Sequence, residues 1–260
     1  MPLPGRLQIW SQYLQVLPFP KSGTEKLFFR KTNQPGTYSG RNSTKKIKRG
    51  KRKSLKYCKY VDKSMFILGY NSAGILNKQE SFYRNINLFN PIAFFLQETK
   101  TRFKNKLRHP NYTFFEYIRK HGGGGGLITA VHNNLHPVQV SNDDATEVLV
   151  VETKIDDMKV RLINGYGPQE TDEENSKAFM NRIDLEVKRS MLAGALVCLE
   201  MDANSKLGPD ILKNDPKEES KNGKLLVKVI EENDLVVVNG TDLCDGVITS
   251  DEISCQIREF

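Results

Sequence analysis

From Met65 onward the chain alternates between two hydrophobic periods, and this alternation limits the folds open to it. MFILGYN reads as a strand, NKQESFYRNINLF carries apolar residues at helical spacing, and IAFFLQE (Ile92 to Glu98) is a continuous apolar run, which together make a β-α-β start. YTFFEYI, GLITAV, EVLVVETKI and MKVRLINGY follow as four successive strand-like runs, favouring hairpins over crossovers. A helix is expected from about Asp172 to Met191, then the strand ALVCLEM, a helix from about Asn222 to Asn233, and the strand LVVVNG. Strands in this order predict a mixed sheet, or a pair of sheets, with helices outside. No repeat of fixed period runs through the chain.

The five glycines of IRKHGGGGGLITAV interrupt this pattern. A phosphate loop of the Walker type needs Lys and then Ser or Thr after its last glycine, whereas Leu127 and Ile128 follow here. An esterase oxyanion loop needs a Gly-x-Ser-x-Gly elbow, which the chain lacks. Apolar alternation resumes at once, so the glycines are expected to form a sharp turn feeding a strand.

Charge divides the 260 residues. Through Tyr60 there are 15 basic side chains and one acid, Glu25, so this segment carries +14 and the remainder −6 of the formal +8. Residues 1–60 are expected to be a disordered basic arm and residues 61–260 the folded domain. Within the arm, Lys45, Lys46, Lys48, Arg49, Lys51, Arg52 and Lys53 form a run suited to phosphate contact or nuclear import, with a plain solvated tail as the alternative. The first twenty residues are broken by prolines and make a poor signal peptide, and no apolar run is long enough to span a membrane. Cys58, Cys198, Cys244 and Cys255 lack metal-type spacing and suit a reduced intracellular protein without a disulfide-linked partner. With the basic run, this favours the nucleus over the cytoplasm.

Chemistry is expected where apolar runs end in polar residues. IAFFLQETK ends in Gln97 and Glu98, LINGYGP carries Asn164, Tyr166 and Pro168 at alternate positions, and LVCLEMDANSKLG carries Glu200, Asp202 and Asn204 likewise. In an extended chain each alternating set lies on one face. An earlier strand ends in Asn71. Carboxylates, amides and a phenol without Cys or His suit a hard cation such as magnesium, which takes one or two carboxylates and leaves sites for water and phosphate. That favours metal-assisted hydrolysis of a phosphate ester.

In order and spacing these motifs resemble the endonuclease/exonuclease/phosphatase family, and within it the endonuclease domains of non-LTR retrotransposons. The resemblance runs from about Val61 to Thr249. Its residues are Asn71 and Gly74, Gln97 to Thr99 in LQETK, the glycine turn, Asn164, Tyr166 and Pro168, Asp202 and Asn204, Asn222 and Gly223, and CDGVIT. It implies an α/β four-layered sandwich of two packed mixed β-sheets with outer helices. It further implies a DNA endonuclease using Mg2+, with Mn2+ as a substitute, in which Glu98 and Asn71 hold the metal. Asp202, Asn204 and Tyr166 would be catalytic, with Asn164, Gln97 and Thr249 supporting them.

Three departures stand out. Ala73 replaces the usual Asn or Asp, Met201 replaces the usual Gly and could re-aim the loop, and the sequence given reaches Phe260 without the family's last core strands and their Ser-Asp-His. An impaired nuclease is therefore expected. The alternatives are a phosphatase of the same family, or a non-catalytic remnant that binds nucleic acid through its basic arm.

Overall fold

A strand buries both faces only when each finds a partner layer, and here both do. The computed structural model describes residues 14–18, 67–104, 106–120, 124–142, 145–209, 211 and 218–237. All belong to one compact unit. Its strands are β1 (Leu14–Pro18), β2 (Ile67–Asn71), β3 (Ala93–Gln97), β4 (Tyr112–Tyr117), β5 (Leu127–His132), β6 (Val138–Asn142), β7 (Val148–Ile155), β8 (Met158–Tyr166), β9 (Leu196–Asp202) and β10 (Leu235–Val237). The helices are α1 (Gln79–Phe89), α2 (Glu173–Leu192) and α3 (Lys221–Glu232). The strands form two mixed sheets, ordered β10-β1-β9-β8-β7-β6 and β2-β3-β5-β4, in which β8 runs parallel to β9 and β2 parallel to β3.

Three apolar cores separate four layers. Phe82 and Ile86 of α1 pack on Phe94, Leu96, Ile128 and Ala130 of the smaller sheet. Its other face, with Phe95, Leu127 and Val131, meets Leu149, Val151, Leu162 and Cys198 of the larger sheet. The far face of the larger sheet, with Val150, Ile163, Val197 and Leu199, is covered by α2 and α3. This is the four-layered α/β sandwich that the resemblance implies. Local signals start both long helices: Asp172 caps α2 by accepting from Asn175, and Ser220 caps α3 by accepting from Gly223.

Two details differ from the sequence reading. VQVSN forms β6, hydrogen-bonded to β7, a short alternating run that the sequence reading left unassigned. Residues 14–18 pair with β9 and β10 as a strand, so this part of residues 1–60 is not a free arm. Lys45, Lys46, Lys48, Arg49, Lys51, Arg52, Lys53 and Thr249 lie outside the described residues.

The two sheets are tied by more than apolar contact. Gln97 Nε2 at the end of β3 donates to Asn164 Oδ1 of β8 at 2.7 Å. Asn164 Nδ2 in turn reaches Ile128 O at 3.0 Å and Thr129 Oγ1 at 3.2 Å. Both amides are fully buried. Replacing one partner leaves the other's polar atoms desolvated without a bond, so Asn164→Leu is expected to destabilise the domain by about 1–3 kcal/mol in urea unfolding. Leu192→Ala, at an exposed helix end, should stay within about 0.5 kcal/mol. Equal midpoints for the two variants would remove the amide tie from this account.

Candidate active site

The ends of β2, β3, β8 and β9 meet along one edge of the sandwich because of their register. Asn71 pairs with Gln97 in the smaller sheet and Tyr166 with Asp202 in the larger one. The Gln97–Asn164 tie then sets the two rims against each other, one residue before Glu98 and two before Tyr166. Glu98 itself has φ of 47°, a left-handed conformation rare for a non-glycine residue. Backbone hydrogen bonds on both sides hold it there. Gly74 N donates to Glu98 O, while Thr99 N and Lys100 N donate to the carbonyls of Gly126 and Gly125.

The last two glycines of the run thus form the expected turn into β5 and also clamp the segment after Glu98. A Cβ on Gly126, where φ is 88°, would lie 2.7 Å from Thr99 Oγ1. Nothing in the sequence distinguished this second use.

Asn71, Glu98, Tyr166, Asp202 and Asn204 come together. Tyr166 donates its hydroxyl to Glu98 Oε1 at 2.6 Å, and Asn71 Nδ2 donates to Asp202 Oδ2 at 2.8 Å. Asn71 also lies near enough to Glu98 to help hold that carboxyl in its charged form. Its oxygen accepts from Ala73 N at 2.9 Å. In this arrangement Asn71 serves Asp202 as a donor, a use the metal-ligand reading did not include. Asn204 N donates to Asp202 Oδ1 at 3.2 Å, and Asn204 Nδ2 to Gly167 O at 2.7 Å. Asn222 at the start of α3 braces this loop by donating to the carbonyls of Pro168 and Asn204.

Met201 points away from the site. Its side chain is fully buried in the core beneath α2 and α3, on the face opposite Asp202. Glu200, also at an alternate position, stays inside: a Cβ on Gly69 would sit 1.3 Å from its Oε1, so the glycine makes room for it between the sheets.

Three charged residues that the candidate set omitted complete the site. Lys100 Nζ lies 3.1 Å from Glu98 Oε2. Glu147, buried at the start of β7, accepts from Gly126 N at 2.6 Å and pairs with Arg119. The Arg119 guanidinium lies 5.8 Å from the Tyr166 ring centre, so the phenol is held from both ends. Lys100 stood in the quoted LQETK and could have been found by its place beside a carboxylate. Glu147 and Arg119 carry no local signal. A cleft of about 580 Å³ opens beside Tyr166, bordered by Arg119, Glu147, Pro168 and Gln169. The described histidines of β5 and its following turn, His132 and His136, lie at the far end from this edge, since Val131 pairs with Ala93 rather than Gln97.

The carboxylates are driven in opposite directions. Burial opposes charge on Glu98, but hydrogen bonds from Tyr166, Asn71 and Lys100 outweigh it and hold the group below the ordinary glutamate range. Burial, reinforced by the charge of Glu98, pushes Asp202 up despite the bonds from Asn71 and Asn204. Burial and the bond to Glu98 keep the Tyr166 phenol protonated.

As hard-oxygen donors, Glu98 and Asp202 fit a magnesium ion completed by water, and Lys100 shows that positive charge is accepted at Glu98. Among the described residues, no group of three or more His, Cys, Asp or Glu is placed to hold a metal. A cation here would rest on these two carboxylates.

Neither a family model nor a curated protein matches the chain. Several solved structures resemble part of it. The endonuclease domain of TRAS1, a telomere-specific non-LTR retrotransposon, is 18% identical over 64% of this chain and 69% of that one, with a TM-score of 0.46. The 3′ phosphatase NExo from Neisseria, bound to a product DNA hairpin, is 13% identical over 65% and 71%, with a TM-score of 0.48. Humanized D. rerio TDP2 is 15% identical over 54% of this chain and 66% of its own, with a TM-score of 0.43.

Because Glu98 is more acidic folded than unfolded, its contribution to stability is present above the pH where an unfolded glutamate titrates. That contribution is lost as pH falls through the folded value. In a carboxyl-carbon NMR titration, Glu98 should titrate below an ordinary glutamate and Asp202 above an ordinary aspartate. Tyr166→Phe should move Glu98 upward; an unmoved midpoint would show that the phenol does not set its acidity.

Proposed function

We propose that this chain is a divalent-metal-dependent phosphodiester hydrolase domain of the endonuclease/exonuclease/phosphatase type that cuts DNA, with its origin in a non-LTR retrotransposon. What carries the reading is the meeting at one edge of two carboxylates with their donors, Glu98 bonded by the Tyr166 hydroxyl and Asp202 by the Asn71 amide. The motif order supports the origin.

Each residue has a distinct task. Asp202, with its acidity weakened by burial, is a better base toward a water than an ordinary aspartate, and Asn71 and Asn204 fix the direction of its oxygens. Tyr166 keeps its proton and can present it to a phosphoryl oxygen once Glu98 is otherwise engaged. Glu98 and Asp202 would hold magnesium, which when bound neutralises the charge that grows on the phosphoryl oxygens. Lys100 must yield at Glu98 for this to happen, and its ammonium then lies free beside the site to meet a phosphate.

The second reading is a nucleic-acid-binding domain that does not hydrolyse. It is favoured by the Lys100–Glu98 pair, which already satisfies the carboxylate a metal would use.

A plasmid-nicking assay with magnesium and with chelator separates the two. Hydrolysis predicts metal-dependent nicking that falls about 10²- to 10⁴-fold in Asp202→Ala, the usual contribution of a general base. It also predicts nicking lost in Glu98→Ala. Nicking that is absent under all conditions, with DNA still retained in a gel-shift assay, establishes the binding domain instead.

A further inference from the structure

Immediately beyond Lys100 the chain leaves the site as a basic loop with an exposed aromatic ring. From Thr99 to Phe115 the sequence contains no acid, and it presents Arg102, Lys104, Lys106 and Arg108 to solvent. Phe103 is 67% exposed, high for so large a hydrophobic residue. No ion pair among the described residues involves these four cations.

A lone exposed phenylalanine is ordinary. This one is held in place. Thr101 is buried beside Thr99 before it, and Leu107 after it is buried at 1% against Ile75, Phe82 and Ile86. Arg108 N donates to the Tyr83 hydroxyl at 3.0 Å. Anchored at both ends, the loop must turn Arg102, Phe103, Lys104 and Lys106 outward. Lys106 Nζ lies 5.5 Å from the Phe103 ring centre, which sets an ammonium beside an aromatic face.

We propose that this loop is a docking platform for unpaired nucleic acid, in which Phe103 stacks on a base while Arg102, Lys104 and Lys106 neutralise the flanking phosphates. The chemistry of the surface selects this occupant. Clustered cations demand a polyanion, and a flat apolar ring between them gains most from a partner that alternates phosphates with aromatic rings. In a duplex the base faces are already stacked, so Phe103 has nothing to cover there; in a single strand or a frayed end they are free. Burying Thr101 and Leu107 on either side before binding lowers the ordering cost. The platform rests on the nucleic-acid reading of the site above and deepens it: the strand would enter along the loop and reach Glu98 within a few residues, favouring substrates unpaired beside the cut.

Binding is best measured apart from hydrolysis. Anisotropy of a short fluorescein-labelled DNA strand, titrated with the full chain in EDTA, should show Phe103→Ala weakening the single strand by about 5- to 100-fold, with a blunt duplex much less affected. Lys104→Gln combined with Lys106→Gln should reduce the slope of log affinity against log salt by about 1.4, from roughly 0.7 per phosphate contact. Circular dichroism on the same samples checks folding. Phe103→Trp, in a Trp10→Phe background, should restore binding, and its indole emission should be quenched as the strand saturates.

Unchanged single-strand binding by Phe103→Ala, with no quenching from Phe103→Trp, overturns the platform. Equal losses for strand and duplex would overturn it too, leaving only nonspecific charge. Because chelator blocks hydrolysis, these results are independent of the nicking assay, so the platform and the hydrolase reading fail separately.

Discussion

The site depends on two buried amides. Gln97 and Asn164 belong to different sheets, lie 67 residues apart in the chain and bond at 2.7 Å between the two sheets, next to the rim. Apolar contacts between the sheets would tolerate sliding, since Leu149 can meet Phe95 or Leu127 with little loss. An amide pair would not, because a shift of one residue leaves two desolvated polar groups unpaired. The tie therefore fixes the relative register of the sheets at the point where Glu98 and Tyr166 emerge. Their hydrogen bond follows from it.

A second constraint is the backbone of Glu98. A left-handed glutamate is costly, and it persists because Gly74 on one side and Gly125 and Gly126 on the other engage the peptide groups around it. The two glycines adopt positive φ themselves, and Gly126 also donates to Glu147. Glu147 carries Arg119, and Arg119 lies on the Tyr166 ring. The glycine run is thus linked to the phenol as well as to the carboxylate. The strain at Glu98 is borne by a surrounding that also fixes its hydrogen-bond donor.

Opposed acidity in Glu98 and Asp202 comes from the same geometry. Glu98 lies at the rim, where donors and a lysine can reach it, while Asp202 is 5% exposed and receives two hydrogen bonds against the full cost of burial. Glu98 is kept charged, while Asp202, the other carboxylate on which a cation would rest, is shifted toward accepting a proton. Depth sets the difference between them.

The sequence by itself determined the elements and the candidate residues. Alternation and capping are local, so β2 to β5, β7 to β10 and all three helices could be read from neighbours a few positions apart. Polar residues ending apolar runs marked Asn71, Glu98, Tyr166 and Asp202 for the same reason: a strand's end is visible in its own pattern. Only the tertiary structure decided what these residues do to one another. Asn71 and Asp202 are 131 positions apart, and nothing in either motif says that the amide turns its nitrogen to the carboxylate. Glu147 and Arg119 were missed because their roles depend on which layer covers them, and period does not encode a neighbour that comes from another sheet.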